Sequence, residues 1–331
     1  MAARPLACIL LAFLATSAGA AVPRVLFVGN SFTFVNDMPA QIQNIATSLG
    51  DGIQYNTSTI GGCTLFAQTA GRDNLTARLL EEDWDFIVLQ DYSLLPTVAT
   101  AREKYLRPAV DDFIRMRRGG SSTKILLYLT WGYNEGLTQD CPTSDTKKCF
   151  PLGSLADLTE PDCTKSQQYR LSVQSFECMG YAVARGYLDT MEHFRHYIHG
   201  VVPAGLAWQV VRGSTEIPGD CKEAIDAEYG SQIKGNLTLP LRVPNASLPE
   251  YMLYRVYPDG NVDKHPNIAG AYLNALVFYA SLFGKSPVGA AKPLVTETDF
   301  GDIPLTDEQA LTLQTAAEAV VLQYQSAWHP H

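Results

Sequence analysis

The chain alternates short apolar runs with longer amphipathic stretches. The run at 23–30 is rich in Val, Leu and Phe and ends in Gly and Asn, the pattern of a buried strand that leads into a turn. Similar strands are predicted at 53–60, 84–90, 124–130 and 201–208, and helices at 39–49, 101–117, 167–185 and 268–283. Strands that alternate with helices imply a parallel sheet covered on both faces. The pattern therefore predicts an α/β fold.

The first residues have a different pattern. Segment 1–20 carries a single Arg4, then an apolar run, and ends in the small residues Ala18-Gly19-Ala20, which is typical of a cleaved secretory signal. We expect a secreted protein in which residues 21–331 form one domain. No later run approaches the roughly 20 apolar residues that a membrane-spanning helix needs. Stable insertion into a membrane is therefore not expected.

Two polar stretches, 134–166 and 213–249, are predicted insertions, the first near the rim of the sheet. Six cysteines remain once Cys8 leaves with the signal, and an even number in a secreted chain predicts disulfides. Their pairing stays open, and the candidates are Cys63, Cys141, Cys149, Cys163, Cys178 and Cys221. Four sequons predict glycosylation candidates, of which the first is weakest because it falls in a predicted strand: Asn56, Asn74, Asn236 and Asn245.

Charge excludes one class of partner. The chain carries 25 basic and 34 acidic residues, a net charge of −9. A negatively charged surface disfavours binding to polyanions. Nucleic acid is therefore not an expected partner.

Ligand sites of parallel α/β sheets lie at the carboxyl ends of the strands. The polar and glycine residues that follow the predicted strands are therefore the first candidates for chemistry. They are Gly29-Asn30-Ser31-Phe32-Thr33, Gly61-Gly62, Gln90-Asp91 and Thr130-Trp131-Gly132-Tyr133.

Ser31 is the candidate nucleophile. A serine at a strand-to-helix turn exposes its hydroxyl beside backbone N–H groups, although a serine there is also a common helix cap. His265 lies directly before the predicted helix 268–283, and a histidine in that place is well suited to act as a base for Ser31. The other histidines either cluster on a helical surface or lie in the C-terminal tail. The pair Ser31 and His265 thus predicts nucleophilic chemistry.

These motifs resemble the SGNH (GDSL-like) hydrolases. The block 29–33 resembles their Gly-Asp/Asn-Ser block, and 263–265 resembles the last block, in which a carboxylate closely precedes the catalytic histidine. The resemblance implies a flavodoxin-like three-layer sandwich with a central parallel sheet. It also implies that Ser31, Gly61 and Gly62 supply oxyanion N–H groups. In the third block Gln90 replaces the usual asparagine, and its longer amide is the expected third donor.

The acid partner of His265 stays open. In the family an aspartate usually stands three residues before the histidine, but here that position is Val262. Asp263 is favoured by its proximity, while Asp259 lies in a predicted turn. A metal site is the weakest reading because no second histidine lies near these carboxylates, so we expect no metal and no cofactor.

The combined expectation is a serine esterase that acts on short acyl groups, such as acetyl, of a small-molecule or glycan ester. The expected substrate-binding residues are Asn30, Thr33, Asp91, Trp131 and Tyr133. Two alternatives stay open. One is a lipase or lysophospholipase, and the other is a secreted glycan-binding protein that has lost turnover, because the third block and the acid depart from the family pattern.

Overall fold

The centre of the protein is a parallel sheet of five strands in the order β2-β1-β3-β4-β5. The structure, a computed structural model, describes residues 22–69, 74–136, 173–213, 216–229, 253–293 and 304–323. The strands of this sheet are β1 (Arg24–Gly29), β2 (Gln54–Thr59), β3 (Phe86–Leu89), β4 (Lys124–Tyr128) and β5 (Ile198–Val202). This order is that of the flavodoxin-like doubly wound sheets, and the predicted α/β class is confirmed.

Helices cover the sheet. They are α1 (Ser31–Phe34), α2 (Met38–Ser48), α3 (Leu65–Ala67), α4 (Asn74–Leu80), α5 (Leu94–Thr97), α6 (Ala99–Ala101), α7 (Arg107–Met116), α8 (Phe176–His193), α9 (Ala204–Val211), α10 (Gly219–Tyr229), α11 (Ile268–Phe283) and α12 (Asp307–Leu322). A π-helical turn (Arg102–Leu106) joins α6 to α7, and short 3-10 turns occur at Val35–Asp37 and Gly120–Ser122. Helix α11 packs against α2, α9 and α12, while α8 packs against α5 and α3 against α7.

The core lies between the sheet and these helices. Val25, Leu26, Phe27 and Val28 of β1 have no exposed surface, as expected of a central strand covered on both faces. Phe278 of α11 packs edge-on against Phe27, with ring centroids 5.5 Å apart. The predicted helix 268–283 has the bounds that the sequence indicated, because Asn267 caps its start and Gly284 ends it with a positive φ of 63°.

One predicted strand was partly wrong. The run 201–208 was expected to be a single strand, but β5 ends at Val202 and residues from Ala204 onward form α9. Pro203 lies between them and has no N–H for the sheet, so it ends the strand. The following Ala-Gly-Leu-Ala-Trp segment then forms a helix that is buried along its whole length. An apolar run of this kind does not distinguish a strand from a buried helix by its periodicity.

A two-stranded antiparallel hairpin lies outside the main sheet. It consists of β6 (Tyr254–Val256) and β7 (Val262–Pro266), joined by a turn around Gly260. The residues Val262–Pro266, which carry Asp263 and His265, pair with β6, and the sequence pattern did not indicate this strand.

Some predicted modifications fall in the described part of the chain. Cys178 of α8 and Cys221 of α10 form a disulfide with a Cα–Cα distance of 5.9 Å, and Cys63 is also disulfide-bonded. Asn56 is exposed on β2, and Asn74 is the first residue of α4. The other candidates, Cys141, Cys149, Cys163, Asn236 and Asn245, lie outside the described residues, as do segment 1–20 and most of both predicted insertions. Helix α10 falls within the second insertion.

In the described part of the chain, no helix has the length and apolar character needed to cross a membrane.

Candidate active site

The turn after β1 presents Ser31 at the carboxyl edge of the sheet. Asn30 is extended and its side chain caps α1, since Asn30 Oδ1 accepts the N–H of Phe32 at 3.1 Å. Ser31 is then the first helical residue. Its own N–H has no hydrogen-bond partner in the described ranges, as expected at a helix start. The turn therefore offers a hydroxyl and a free backbone donor at the same place.

Gln90, which follows β3, forms hydrogen bonds to this turn. Its side-chain oxygen accepts the N–H of Asn30 and the hydroxyl of Thr33, both at 2.9 Å. Its side-chain nitrogen donates to the Asp91 carbonyl at 2.6 Å, and the residue has no exposed surface. Gln90 was expected to donate to an oxyanion. In this arrangement its amide is buried and hydrogen-bonded within the protein instead, so it positions the turn that carries Ser31.

Gly29 makes room for this arrangement. A Cβ on Gly29 would lie 2.6 Å from the side-chain oxygens of both Gln90 and Thr33. Only a residue without a side chain permits such close approach.

The two glycines after β2 form an exposed turn beside Ser31. The turn is closed by the N–H of Cys63, which donates to the carbonyl of Ile60 at 3.1 Å. Gly62 has a φ of 69°, a conformation that glycine adopts without strain. The Asn30 side chain donates to the Cys63 carbonyl at 3.0 Å. Asn30 therefore connects the Gly61-Gly62 turn to the turn that carries Ser31.

Asp91, which follows Gln90, contacts the start of α3, the helix that follows the two glycines. Its Oδ1 accepts the N–H groups of Leu65 at 3.0 Å and Tyr92 at 2.7 Å. Its Oδ2 is buried with no hydrogen-bond partner among the described residues. Burial raises the pKa of Asp91 to about 7, although the two backbone N–H groups act in the opposite direction. Asp91 is therefore a buried, titratable link between the end of β3 and the glycine turn.

His265 lies on β7 between Ser31 and Asp263. Its Nε2 is 2.8 Å from Ser31 Oγ, and its Nδ1 is 2.7 Å from Asp263 Oδ2. Asp263 and His265 lie two residues apart on β7, and the hydrogen bond between them joins their side chains. The three side chains form one hydrogen-bonded chain with the order of a serine-histidine-aspartate triad.

The two candidate acids have different partners. Asp263 also accepts the Lys264 N–H at 2.7 Å and the Tyr257 hydroxyl at 3.3 Å. Burial raises the pKa of Asp263, but the hydrogen bond and charge of His265 outweigh it, and the net pKa is below the ordinary carboxyl value. Asp259 instead accepts the backbone and side-chain N–H groups of Asn261 within the hairpin turn. Only Asp263 is hydrogen-bonded to the imidazole.

Aromatic side chains hold the histidine strand in place. Trp131 donates its indole N–H to the Lys264 carbonyl at 3.0 Å and stacks on Trp208 with centroids 4.2 Å apart and planes 5° apart. Phe32, the residue after Ser31, packs edge-on against His265 with ring centroids 5.5 Å apart. These contacts orient β7 relative to the turn that carries Ser31.

Four of the five residues expected to bind substrate are buried. Asn30, Thr33, Asp91 and Trp131 are at most 2% exposed, and each forms a hydrogen bond to a neighbouring turn or strand. They were expected to contact substrate, but their burial directs their side chains to contacts within the protein. Tyr133 differs, since it is partly exposed and packs 6.3 Å from Phe32.

Two residues at this edge were not singled out from the sequence. Tyr257 donates its hydroxyl to Asp263, and Lys264 lies between Asp263 and His265 on β7. Tyr257 depends on the hairpin pairing, which the sequence pattern did not indicate.

Comparison with known proteins gives similarity at the level of fold. No protein-family model matches the chain, and no curated protein matches it. Among solved structures, a DUF4886 family protein from Bacteroides uniformis ATCC 8492 is 16% identical, with 92% of this chain and 96% of that chain covered and a TM-score of 0.57. A candidate SGNH hydrolase from Slackia heliotrinireducens is 18% identical over 79% of this chain and 99% of that chain, with a TM-score of 0.44.

The similarity to the Bacteroides uniformis protein extends over almost the whole of both chains. The chain therefore shares its α/β fold with that protein, in agreement with the strand order of the central sheet.

Proposed function

We propose that this protein is a secreted serine esterase that cleaves carboxylic esters through an acyl-enzyme. The observation that carries the proposal is the hydrogen-bonded chain from Ser31 Oγ through His265 to Asp263, with distances of 2.8 and 2.7 Å. These distances are within the reach required for proton transfer from a nucleophile to its base.

In the proposed reaction, His265 Nε2 takes the proton of Ser31 as Oγ attacks the ester carbonyl carbon. The tetrahedral intermediate collapses, the bond to the alcohol oxygen breaks, and His265 returns the proton to the leaving alcohol. Water then attacks the acyl-enzyme with His265 as base, and the acid is released with Ser31 restored. Asp263 keeps His265 oriented and stabilises the imidazolium that forms in each half.

The oxyanion is proposed to bind to backbone donors. The N–H groups of Ser31 and Gly62 are the candidates, because neither donates to another group in the part of the chain that the structure describes. Gly61 shares the same exposed turn. Because the amide of Gln90 is bonded internally, the proposal uses these backbone donors in place of the side-chain donor expected from the sequence.

The finer proposal is a short acyl group, such as acetyl, carried by a carbohydrate. Tyr92 and Tyr133 support it, since both are partly exposed at the strand ends and tyrosine rings can pack against sugar faces. Secretion is supported by the leader pattern in 1–20 and by the Cys178–Cys221 disulfide, because disulfides persist in oxidising compartments.

Hydrolysis of 4-nitrophenyl esters of increasing acyl length tests this proposal. We expect turnover of the acetyl ester that falls with chain length and is lost in Ser31→Ala. Ser122→Ala is the matched control, because Ser122 lies exposed before β4 at the opposite edge of the sheet. A preference for long chains would favour the lipase alternative. No turnover of any ester would favour the glycan-binding alternative.

A further inference from the structure

Lys264 lies between Asp263 and His265 on β7. Its ammonium lies 5.6 Å from the ring centroids of both Tyr92 and Tyr133. Both distances are within the range of cation–π attraction. The three side chains form what we call the Lys264 cluster.

The Lys264 ammonium has no carboxylate partner within 4.0 Å among the described residues. The nearest acid in sequence, Asp263, already accepts from His265, Tyr257 and the Lys264 backbone. By contrast, Lys222 pairs with Asp226 and Lys285 with Asp51. A partly buried ammonium held by rings rather than by an acid keeps its positive charge available to a ligand.

The Lys264 cluster lies at the same edge of the sheet as the nucleophile. Tyr92 follows β3 and Tyr133 follows β4, at the carboxyl ends where Ser31 follows β1. Phe32 links the two places, because its ring packs against both Tyr133 and His265, at 6.3 and 5.5 Å between centroids. A substrate bound at Ser31 is therefore adjacent to the cluster.

We propose that the Lys264 cluster is an anion subsite that selects esters bearing a carboxylate. On a chain with a net charge of −9, a local positive group favours the approach of an anionic substrate to the site. Lys264 supplies the charge, while the rings of Tyr92 and Tyr133 shield it and form the walls. The inference rests on the proposed esterase function and adds a substrate class to it.

Two matched ester pairs test the subsite. They also distinguish whether the alcohol part or the acyl part of the ester carries the carboxylate that the subsite binds. Methyl 4-acetoxybenzoate and 4-acetoxybenzoate differ by a carboxylate on the alcohol part. The 4-nitrophenyl esters of monomethyl succinate and of succinate differ by a carboxylate on the acyl part. For each pair, the ratio of kcat/KM for the anionic ester to that for the neutral ester is compared between wild type and Lys264 variants.

In at least one pair we expect Lys264→Gln to lower this ratio about five- to tenfold, while Lys264→Arg retains most of it. Lys124→Gln is the control, because Lys124 also lies over an aromatic ring, at 5.4 Å from Phe86, but at the opposite edge of the sheet. An equal loss for both members of both pairs overturns the subsite. Failure of wild type to hydrolyse any of the four esters, with no labelling of Ser31 by a fluorophosphonate, would instead reject the esterase proposal.

Discussion

The side-chain oxygen of Gln90 accepts the backbone N–H of Asn30 at 2.9 Å, which connects the end of β3 to the turn that presents the nucleophile. The same oxygen accepts the Thr33 hydroxyl. One buried amide thus holds Asn30, directly before Ser31, and Thr33, two residues after it. The glutamine side chain therefore positions the turn that carries Ser31.

Gln90→Ala therefore removes a positioning contact rather than an oxyanion donor. We expect kcat to fall on the order of 100-fold, with a smaller change in KM, because a small misplacement of the nucleophile is costly in rate. Gln90→Glu retains the acceptor oxygens and is expected to recover part of the loss. The rate of fluorophosphonate labelling, measured beside thermal unfolding, distinguishes this effect from a general loss of stability. An unchanged labelling rate in folded Gln90→Ala would contradict it.

The two candidate acids give a paired prediction. Asp263→Asn is expected to lower kcat/KM by about 10³-fold or more, because the imidazole loses the group that orients it and stabilises its charge. Asp259→Asn is expected to remain within a few-fold of wild type, since Asp259 contacts only the hairpin turn. Steady-state kinetics with one acetyl ester measure both variants. A larger loss in Asp259→Asn than in Asp263→Asn would contradict the assignment.

The raised pKa of Asp91 predicts that the stability of the protein depends on pH. The pKa of Asp91 is about 7 in the folded protein against an ordinary value of 3.8, so between these pH values the folded protein keeps the proton and the unfolded chain has lost it. The contribution of Asp91 to the free energy of unfolding therefore falls as pH rises from about 4 to 7. Asn at this position keeps an oxygen for the N–H groups of Leu65 and Tyr92 and does not titrate.

Urea unfolding at pH 5 and pH 8 measures this contribution. Between these two values, wild type is expected to lose more stability than Asp91→Asn. Glu223→Gln serves as the control, because Glu223 is an exposed carboxyl on α10. An equal change with pH in wild type and Asp91→Asn would show that Asp91 titrates near its ordinary value.

Trp131→Phe tests the support of the histidine strand. Phenylalanine keeps an aromatic ring next to Trp208 but loses the N–H that donates to the Lys264 carbonyl. We expect about 1 kcal/mol lower stability and a lower kcat, because a typical hydrogen bond contributes about that amount and β7 carries the base. Thermal unfolding and ester hydrolysis report the two effects. Loss of stability without any loss of kcat would separate Trp131 from the site.

The sequence predicted the strand-end turns well because each is a local feature. Ser31, Gly62 and Gln90 follow predicted strands, and a parallel sheet brings the residues after its strands to one edge. The bounds of α11 were equally local, since Asn267 and Gly284 are strong helix signals.

What the sequence left open or predicted wrongly concerns pairing and packing. The choice between Asp263 and Asp259 depended on whether 262–266 is a strand, which is decided by its partner β6 rather than by its own residues. The role of Gln90 depended on the direction of its amide. Trp131 was expected to bind substrate, but its ring is buried against Trp208. Each of these depends on contacts between residues distant in sequence.

The central claim is that Ser31 is a nucleophile activated by His265. The most direct measurement is the mass of the full chain after reaction with a fluorophosphonate, followed by peptide mapping of the adduct. We expect one adduct on Ser31 in wild type and in Ser122→Ala. We expect no adduct in Ser31→Ala, and a much slower formation of the Ser31 adduct in His265→Ala than in wild type. An adduct on another serine, or no adduct on folded wild-type protein, would contradict it.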